Sequence, residues 1–141
     1  AGLGEQPAEA ILREIGEPRL RGMLRLAGYI PNSDLPAIYN RASAFLYTSL
    51  RESFGIPQLE AMACGTPVVT SATSAIPEVA GEGAILVDPT DPTAIADALL
   101  RLETDTEFRA GQVAYGLERV KQFSWEKTAR HLLTLYESLG K

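Results

Sequence analysis

The sequence predicts an α/β fold: a parallel sheet covered by helices, with about four strands, an incomplete doubly wound order and a C-terminal helix. Three observations carry this reading. Short apolar runs alternate with stripes of helical period along the chain. The connections between them are short and rich in Gly, Pro, Ser and Asp. The apolar runs are continuous rather than alternating, as in strands buried on both faces.

The elements follow in order. Ala1 to Gly4 reads as the end of a strand and a turn. Ala8, Ile11, Leu12 and Ile15 form a helical stripe that starts near Pro7 and is ended by Gly16 and Pro18. Met23 to Ala27 is a strand candidate, stopped by Gly28. After the loop Tyr29–Asp34, Ser33 or Asp34 is placed to cap a helix carrying Leu35, Ile38, Tyr39 and Ala42. Ala44–Tyr47 is a strand expected to be covered on both faces. A helix with Pro57 in its first turn follows, with Leu59, Met62 and Ala63 facing inward, and Gly65 is placed to end it in a left-handed conformation. Pro67–Thr70 is the next strand, and Ile76–Val79 a single helical turn ended by Gly81 and Gly83. Ala84–Val87 is the last strand. Asp91 then caps a helix with Pro92 at its first position and Ile95, Ala98, Leu99 and Leu102 as its stripe. Thr106–Phe123 is helical despite Gly111 and Gly116. Ser124 caps a final helix with Trp125, Ala129, Leu132, Leu133 and Tyr136 on one face.

The bulk properties narrow the function. The chain has 141 residues, one domain's worth, and can bury a core without staples. Its net charge of −5 argues against a nucleic-acid binder, which needs a basic face. Cys64 is the only cysteine, which excludes an internal disulfide and a cysteine metal cluster. With no apolar run near the roughly 18 residues of a membrane span, the sequence reads as cytoplasmic. His131 and the group Arg13, Arg19, Arg21 and Arg25 read as solvated surface, Cys64 and Trp125 as packing residues, and Tyr29 as either packing or a base stacker.

The chemistry concentrates between Leu50 and Val69, a loop after a strand, then a helix and another strand. Ligands of open α/β sheets bind at such carboxyl-end turns. Two carboxylates, Glu52 and Glu60, stand there with seven residues between them. Gly55 lets the backbone approach a ligand, and the amides of Ser53 to Ile56 lie at a helix start that favours an anion such as a diphosphate. Glu60 belongs to the stripe Ile56, Leu59, Glu60 and Ala63, which places it at or near the inward face, where a carboxylate needs donors. Sugar or ribose hydroxyls fit, and so does a neighbouring arginine. Any two glutamates at this spacing are more often a solvated loop charge and a surface helix charge. The residues between and after them decide otherwise.

From Glu52 through Gly55, Glu60, Gly65 and Pro67 to Val69, the string resembles the Glu-seven-residues-Glu signature of retaining glycosyltransferases of the two-Rossmann (GT-B) architecture, family 4. The likeness extends to Leu26–Pro31, Ser74–Val79, Val87–Pro89 and Phe123–Glu126, nearly the whole chain. It implies a Rossmann-like domain that binds a GDP- or UDP-linked sugar as substrate, with neither cofactor nor metal. Glu52 would meet the donor sugar in the catalytic site. The amides of Ser53, Phe54, Gly55 and Ile56 would hold sugar hydroxyls and the diphosphate. Glu60 would accept from the ribose hydroxyls. Ile30 would meet the base through its backbone, and Asn32 would read its edge.

The resemblance also implies that residues 1–141 are part of the C-terminal, donor-nucleotide-binding domain of a longer enzyme, a mannosyl- or glucosyltransferase. The family's Gly-Arg turn and following lysine, which bind the donor phosphates, have no counterpart here. An N-terminal domain would supply the acceptor site, for a glycan, a lipid or a small molecule, and the full-length enzyme would sit in the cytoplasm or on the inner face of the membrane. Without its first two strands, the Leu24 strand would pair with the Phe45 strand, or a second copy would fill the exposed sheet edge in a homodimer. The alternative function is an isolated, non-catalytic module of this fold that self-associates through those edges. An epimerase or phosphorylase on the same architecture is a more distant reading.

Overall fold

Three parallel strands form the sheet, β1 (Phe45–Tyr47), β2 (Val68–Ser71) and β3 (Ala84–Val87), in the order β1-β2-β3. Phe45 pairs with Val68, and Val68 with Ala84. Among the described residues six α-helices accompany them: α1 (Leu35–Arg41), α2 (Ile56–Ala63), α3 (Ile76–Ala80), α4 (Pro92–Thr104), α5 (Thr106–Val120) and α6 (Trp125–Leu139). This computed structural model describes Gly16, residues 23–25 and residues 27–140. The sheet and the candidate site lie in the unit Pro36–Lys141.

The sequence anticipates a fourth strand at Met23–Ala27. Met23, Leu24, Arg25 and Ala27 are not in strand conformation, and Leu26, Ala1–Gly4 and the helix expected at Pro7–Ile15 lie outside the described residues. A strand is held by its ladder, and no ladder forms at those four residues. The expected pairing of a Leu24 strand with the Phe45 strand is therefore not seen.

The central strand is buried at every residue, which explains its continuous apolar run. β1 departs from the expectation of two covered faces: Leu46 is 43% exposed. Below the sheet, Val69 and Val87 pack with Ala98 and Leu102 of α4, as the stripe of that helix requires. Fully burying Leu102, 1% exposed, contributes roughly 2 kcal/mol.

Local signals set most boundaries. Asp91 caps α4, accepting from the amides of Thr93 at 2.9 Å and Ala94 at 3.1 Å. Asp105 does the same for α5 through Phe108, a cap the sequence reading passed over. Gly65, with φ +73°, ends α2. Its amide reaches the Met62 carbonyl and that of Thr66 the Ala61 carbonyl, the paired bonds of a Schellman ending.

Two expectations about helix faces change. The buried residues of α2 are Gln58, Ala61 and Met62, not Leu59 and Ala63. Met62 is drawn in because Gly83 and Gly116 leave room for it: a Cβ on either would come within 3.3 Å of its side chain. Ser124 caps α6 through the Lys127 amide as expected, but α6 buries none of its residues. Trp125 is 82% exposed rather than packed, since among the described residues nothing covers that face.

Candidate functional site

Parallel pairing puts the carboxyl ends of β1 and β2 side by side, so the loop after β1 runs along the loop after β2. A series of hydroxyls ties them. Thr70 donates to the carbonyl of Tyr47 at 2.9 Å, Ser71 to that of Ser49 at 2.6 Å, Thr73 to that of Leu50 at 3.4 Å and Ser74 to that of Glu52 at 2.7 Å. Ser74 also accepts from the Glu52 amide at 3.3 Å. It holds φ at 59°, the one non-glycine residue with a positive φ among those described. Backbone strain of that kind concentrates where geometry matters for function. Arg51, Glu52, Ser53 and Ser74 line a polar hollow of about 410 Å³.

The Glu52 side chain is fixed separately. Tyr47, at the end of β1, donates to Glu52 Oε1 at 2.5 Å. Burial, and then the bond to Glu52, push the Tyr47 hydroxyl up to about 12. Past Glu52, the amides of Ser53, Phe54 and Gly55 make no hydrogen bond among the described residues. Gly55, φ 86°, stands at the N-cap of α2 with no side-chain cap, and a Cβ there would lie 2.9 Å from Gln58 Nε2. The eight-residue helix that follows turns the positive end of its dipole toward this loop, although Pro57 has no N–H and the Gln58 amide already donates to the Gly55 carbonyl at 3.3 Å.

Glu60 is exposed, not inward. Because Met62 turns in, the stripe Ile56, Leu59, Glu60 and Ala63 faces an open apolar cleft of about 700 Å³ against Val120, Phe123 and Trp125. Phe54 closes its near end, edge-on to Phe123 with ring centroids 5.6 Å apart. Within the chain, Glu60 accepts from Tyr39, whose hydroxyl donates to Oε2 at 3.3 Å. Burial first, and then the Glu60 charge, raise Tyr39 to about 12.

The structure thus places Glu52, Ser53, Phe54, Gly55, Ile56 and Glu60 along one loop and helix, with Glu52 at the polar hollow and Glu60 at the apolar cleft. Ile30, half-buried, and Asn32, exposed, lie in the turn before α1, in the unit Ala1–Leu35. Tyr39, Tyr47 and Ser74 are the residues sequence reasoning missed as site residues. Tyr39 and Tyr47 had been absorbed into a helix stripe and a strand. Ser74 meets Glu52 across 22 positions, a separation that leaves no local signal. Among the described residues no group of His, Cys, Asp and Glu is placed to hold a metal, and no helix is long and apolar enough to cross a membrane.

The profile of the family described as Glycosyl transferases group 1 matches residues 1–119. The chain belongs to that family. As a glycosyl transferases group 1 chain, it is 42% identical over 118 residues to O-antigen chain mannosyltransferase B of Escherichia coli, covering 84% of this chain and 31% of the relative. Sucrose-phosphate synthase from Thermosynechococcus elongatus superposes with a TM-score of 0.81 at 32% identity, covering 95% of this chain and 34% of that one. The Anabaena protein HepE, solved in complex with UDP-glucose, superposes at 0.84 and shares the fold at 23% identity, covering 96% of this chain and 38% of its own. The group 1 chain therefore spans about a third of the length of the relatives it matches.

Proposed function

We propose that residues 1–141 form part of the C-terminal, donor-binding domain of a GT-B retaining glycosyltransferase that transfers a hexose, mannosyl or glucosyl, from a GDP- or UDP-linked donor. The observation that carries the reading is the state of Glu52. Its backbone is tied to Ser74, its carboxylate is held by Tyr47, and the amides of Ser53, Phe54 and Gly55, which make no hydrogen bond among the described residues, follow at once. A carboxylate accepts from sugar hydroxyls, and backbone amides beside a helix start donate to phosphate oxygens. Family membership and a mannosyltransferase relative support the same substrate class. In the transfer, the bond from the anomeric carbon to the diphosphate breaks and a bond to an acceptor oxygen forms with configuration kept. Stabilising the departing diphosphate takes preorganised positive groups. The family's cationic phosphate ligands, and the acceptor site for a glycan, lipid or small molecule, belong to the remaining length of the relatives. The chain by itself is accordingly read as inactive in transfer, and the full-length enzyme as cytoplasmic or peripheral to the inner membrane face. No cofactor enters the reading.

Calorimetry of this chain against GDP-mannose and UDP-glucose tests it. A Kd tighter than about 1 mM for either, near 4 kcal/mol, supports the reading. Loss of that binding in Glu52→Gln and Glu60→Ala completes it, and binding unaltered in both overturns it. Among the described residues β1 pairs on one side only, and this favours a second reading, a non-catalytic module pairing with its own copy through β1. Sedimentation that shows only monomer at high concentration removes that alternative.

A further inference from the structure

Between the two carboxylates runs an aromatic bracket. Tyr39 of α1 meets the Phe45 ring edge-on, with centroids 5.2 Å apart. Phe45 stacks on Tyr47, with centroids 5.9 Å apart and planes 17° from parallel. Each end carries one hydroxyl, and each hydroxyl reaches one glutamate: Tyr39 to Glu60, Tyr47 to Glu52. We propose that Tyr47 and Tyr39 are the positioning residues of the donor site, Tyr47 aiming Glu52 at the sugar and Tyr39 aiming Glu60 at the ribose. This rests on the nucleotide-sugar reading and goes beyond it, by assigning the orientation of both carboxylates to one aromatic unit.

The chemistry is specific. An ionised carboxylate only accepts, and a tyrosine hydroxyl is a donor for as long as it keeps its proton. Both hydroxyls are pushed up to about 12, so both remain donors at any neutral pH. Each bond occupies one carboxylate oxygen, Oε1 of Glu52 and Oε2 of Glu60, and leaves the other to accept from a ligand hydroxyl. A glutamate otherwise carries several rotamers, and functional groups perform when held to within about 0.5 Å by packed neighbours. Tyr39 is itself locked, being 8% exposed, with its carbonyl accepting from Thr66 at 2.6 Å. Tyr47 is locked by its place on β1, where the Thr70 hydroxyl reaches its carbonyl. The bracket is therefore a rigid support, not a pair of surface phenols.

The assignment of one tyrosine to the sugar and the other to the ribose gives a pattern that loss of packing does not imitate. Tyr47→Phe and Tyr39→Phe keep both rings and delete only the hydroxyls. Calorimetry of the chain against UDP-glucose, UDP, GDP-mannose and GDP reads the result. Tyr47→Phe should weaken the sugar nucleotide by about tenfold, the order expected of one bond to a charged group, and leave the bare diphosphate unchanged. Tyr39→Phe should weaken both, because both carry the ribose. In a double-mutant cycle, the Tyr47→Phe effect should vanish on a Glu52→Gln background, and the Tyr39→Phe effect on Glu60→Gln. Effects that persist there, or that fall on UDP and UDP-glucose alike for Tyr47→Phe, overturn the proposal and assign the tyrosines to packing. If Glu52→Gln and Glu60→Gln weaken binding while both phenylalanine variants bind as the parent does, the bracket fails and the nucleotide-sugar reading stands. If the parent binds none of the four, both fail together.

Discussion

A single hydroxyl, that of Ser74, grips Glu52 twice, donating to its carbonyl at 2.7 Å and accepting from its amide at 3.3 Å. One side chain thereby fixes the peptide planes on both sides of the candidate catalytic residue. It does so from a backbone with φ at 59°, where a residue with a Cβ is strained by about 1–2 kcal/mol.

That conflict makes two substitutions informative. Ser74→Ala removes both hydrogen bonds and keeps the strain, for an expected loss of about 1–2 kcal/mol. Ser74→Gly removes the bonds and relieves the strain, so its urea midpoint should fall between those of Ser74 and Ser74→Ala. Donor binding should drop in both variants, because both release Glu52. Binding retained in both, with stability lost, would confine Ser74 to holding the loop.

The glycines of α5 and of the turn before β3 separate helix propensity from packing. Gly111 has open space where a Cβ would go, so Gly111→Ala should raise stability by about 1 kcal/mol. A Cβ on Gly83 would meet the Gly116 Cα and the Arg119 Cβ at 3.2 Å and the Met62 sulfur at 3.3 Å, and the first two cannot easily move aside. Gly83→Ala should cost about 1–3 kcal/mol by overpacking. Thermal melts of the two variants shifted in opposite directions are the expected result.

This pair also shows what the sequence could convey. Periodicity and punctuation located α1 through α6 and the three strands among the described residues, because caps such as Asp91 and Ser124 and stops such as Gly65 act within a few residues of themselves. The buried face of α2 differs from the expected one, because Met62 packs into the space left by Gly83 and Gly116, residues more than 20 positions away. The same distance hid two of the site's candidate supports, Tyr39 and Ser74, which lie 21 and 22 positions from the glutamates they meet, whereas Tyr47 lies only five from Glu52. Glu52 and Glu60 were visible as a motif, while Tyr39, Tyr47 and Ser74 looked like ordinary stripe, strand and loop residues. The expected core role of Trp125 failed for a different reason: the period of α6 predicts an apolar face, but not whether the described residues supply anything to cover it.

The two tyrosines give the fold a defined alkaline limit. In the unfolded chain they lose their protons near pH 10; in the folded protein, near 12. Between those values the unfolded state holds fewer protons, so raising the pH draws the equilibrium toward unfolding. Their contribution is complete below pH 10 and is lost as pH climbs through about 12. Urea midpoints measured across that range should fall with pH, and the fall should flatten in Tyr39→Phe/Tyr47→Phe. An unchanged slope in the double variant would assign it to other groups.

Arg119 ties the end of α5 to the segment that leads into β3. Its Nε donates to the Val79 carbonyl at 2.9 Å and an amino nitrogen to the Glu78 carbonyl at 2.5 Å, while the guanidinium sits 5.0 Å from the Phe123 ring centroid. Glu78 and Val79 belong to the last turn of α3, so the cation meets carbonyls that lack helical partners, at the negative end of the dipole. Lysine keeps the charge but not the planar fork, and it cannot reach both carbonyls while stacking on Phe123. Arg119→Lys should therefore lower stability by about 1–2 kcal/mol, and Arg119→Met by more, since burial of its stem would be kept while both carbonyls lose their donors. Because Phe123 lines the cleft beside Glu60, the variants should also loosen the Phe54–Phe123 contact, seen as faster hydrogen exchange at the Phe123 amide, which donates to the Val120 carbonyl at 3.1 Å. A lysine variant with the parent's urea midpoint and exchange rates would show that charge alone holds this junction.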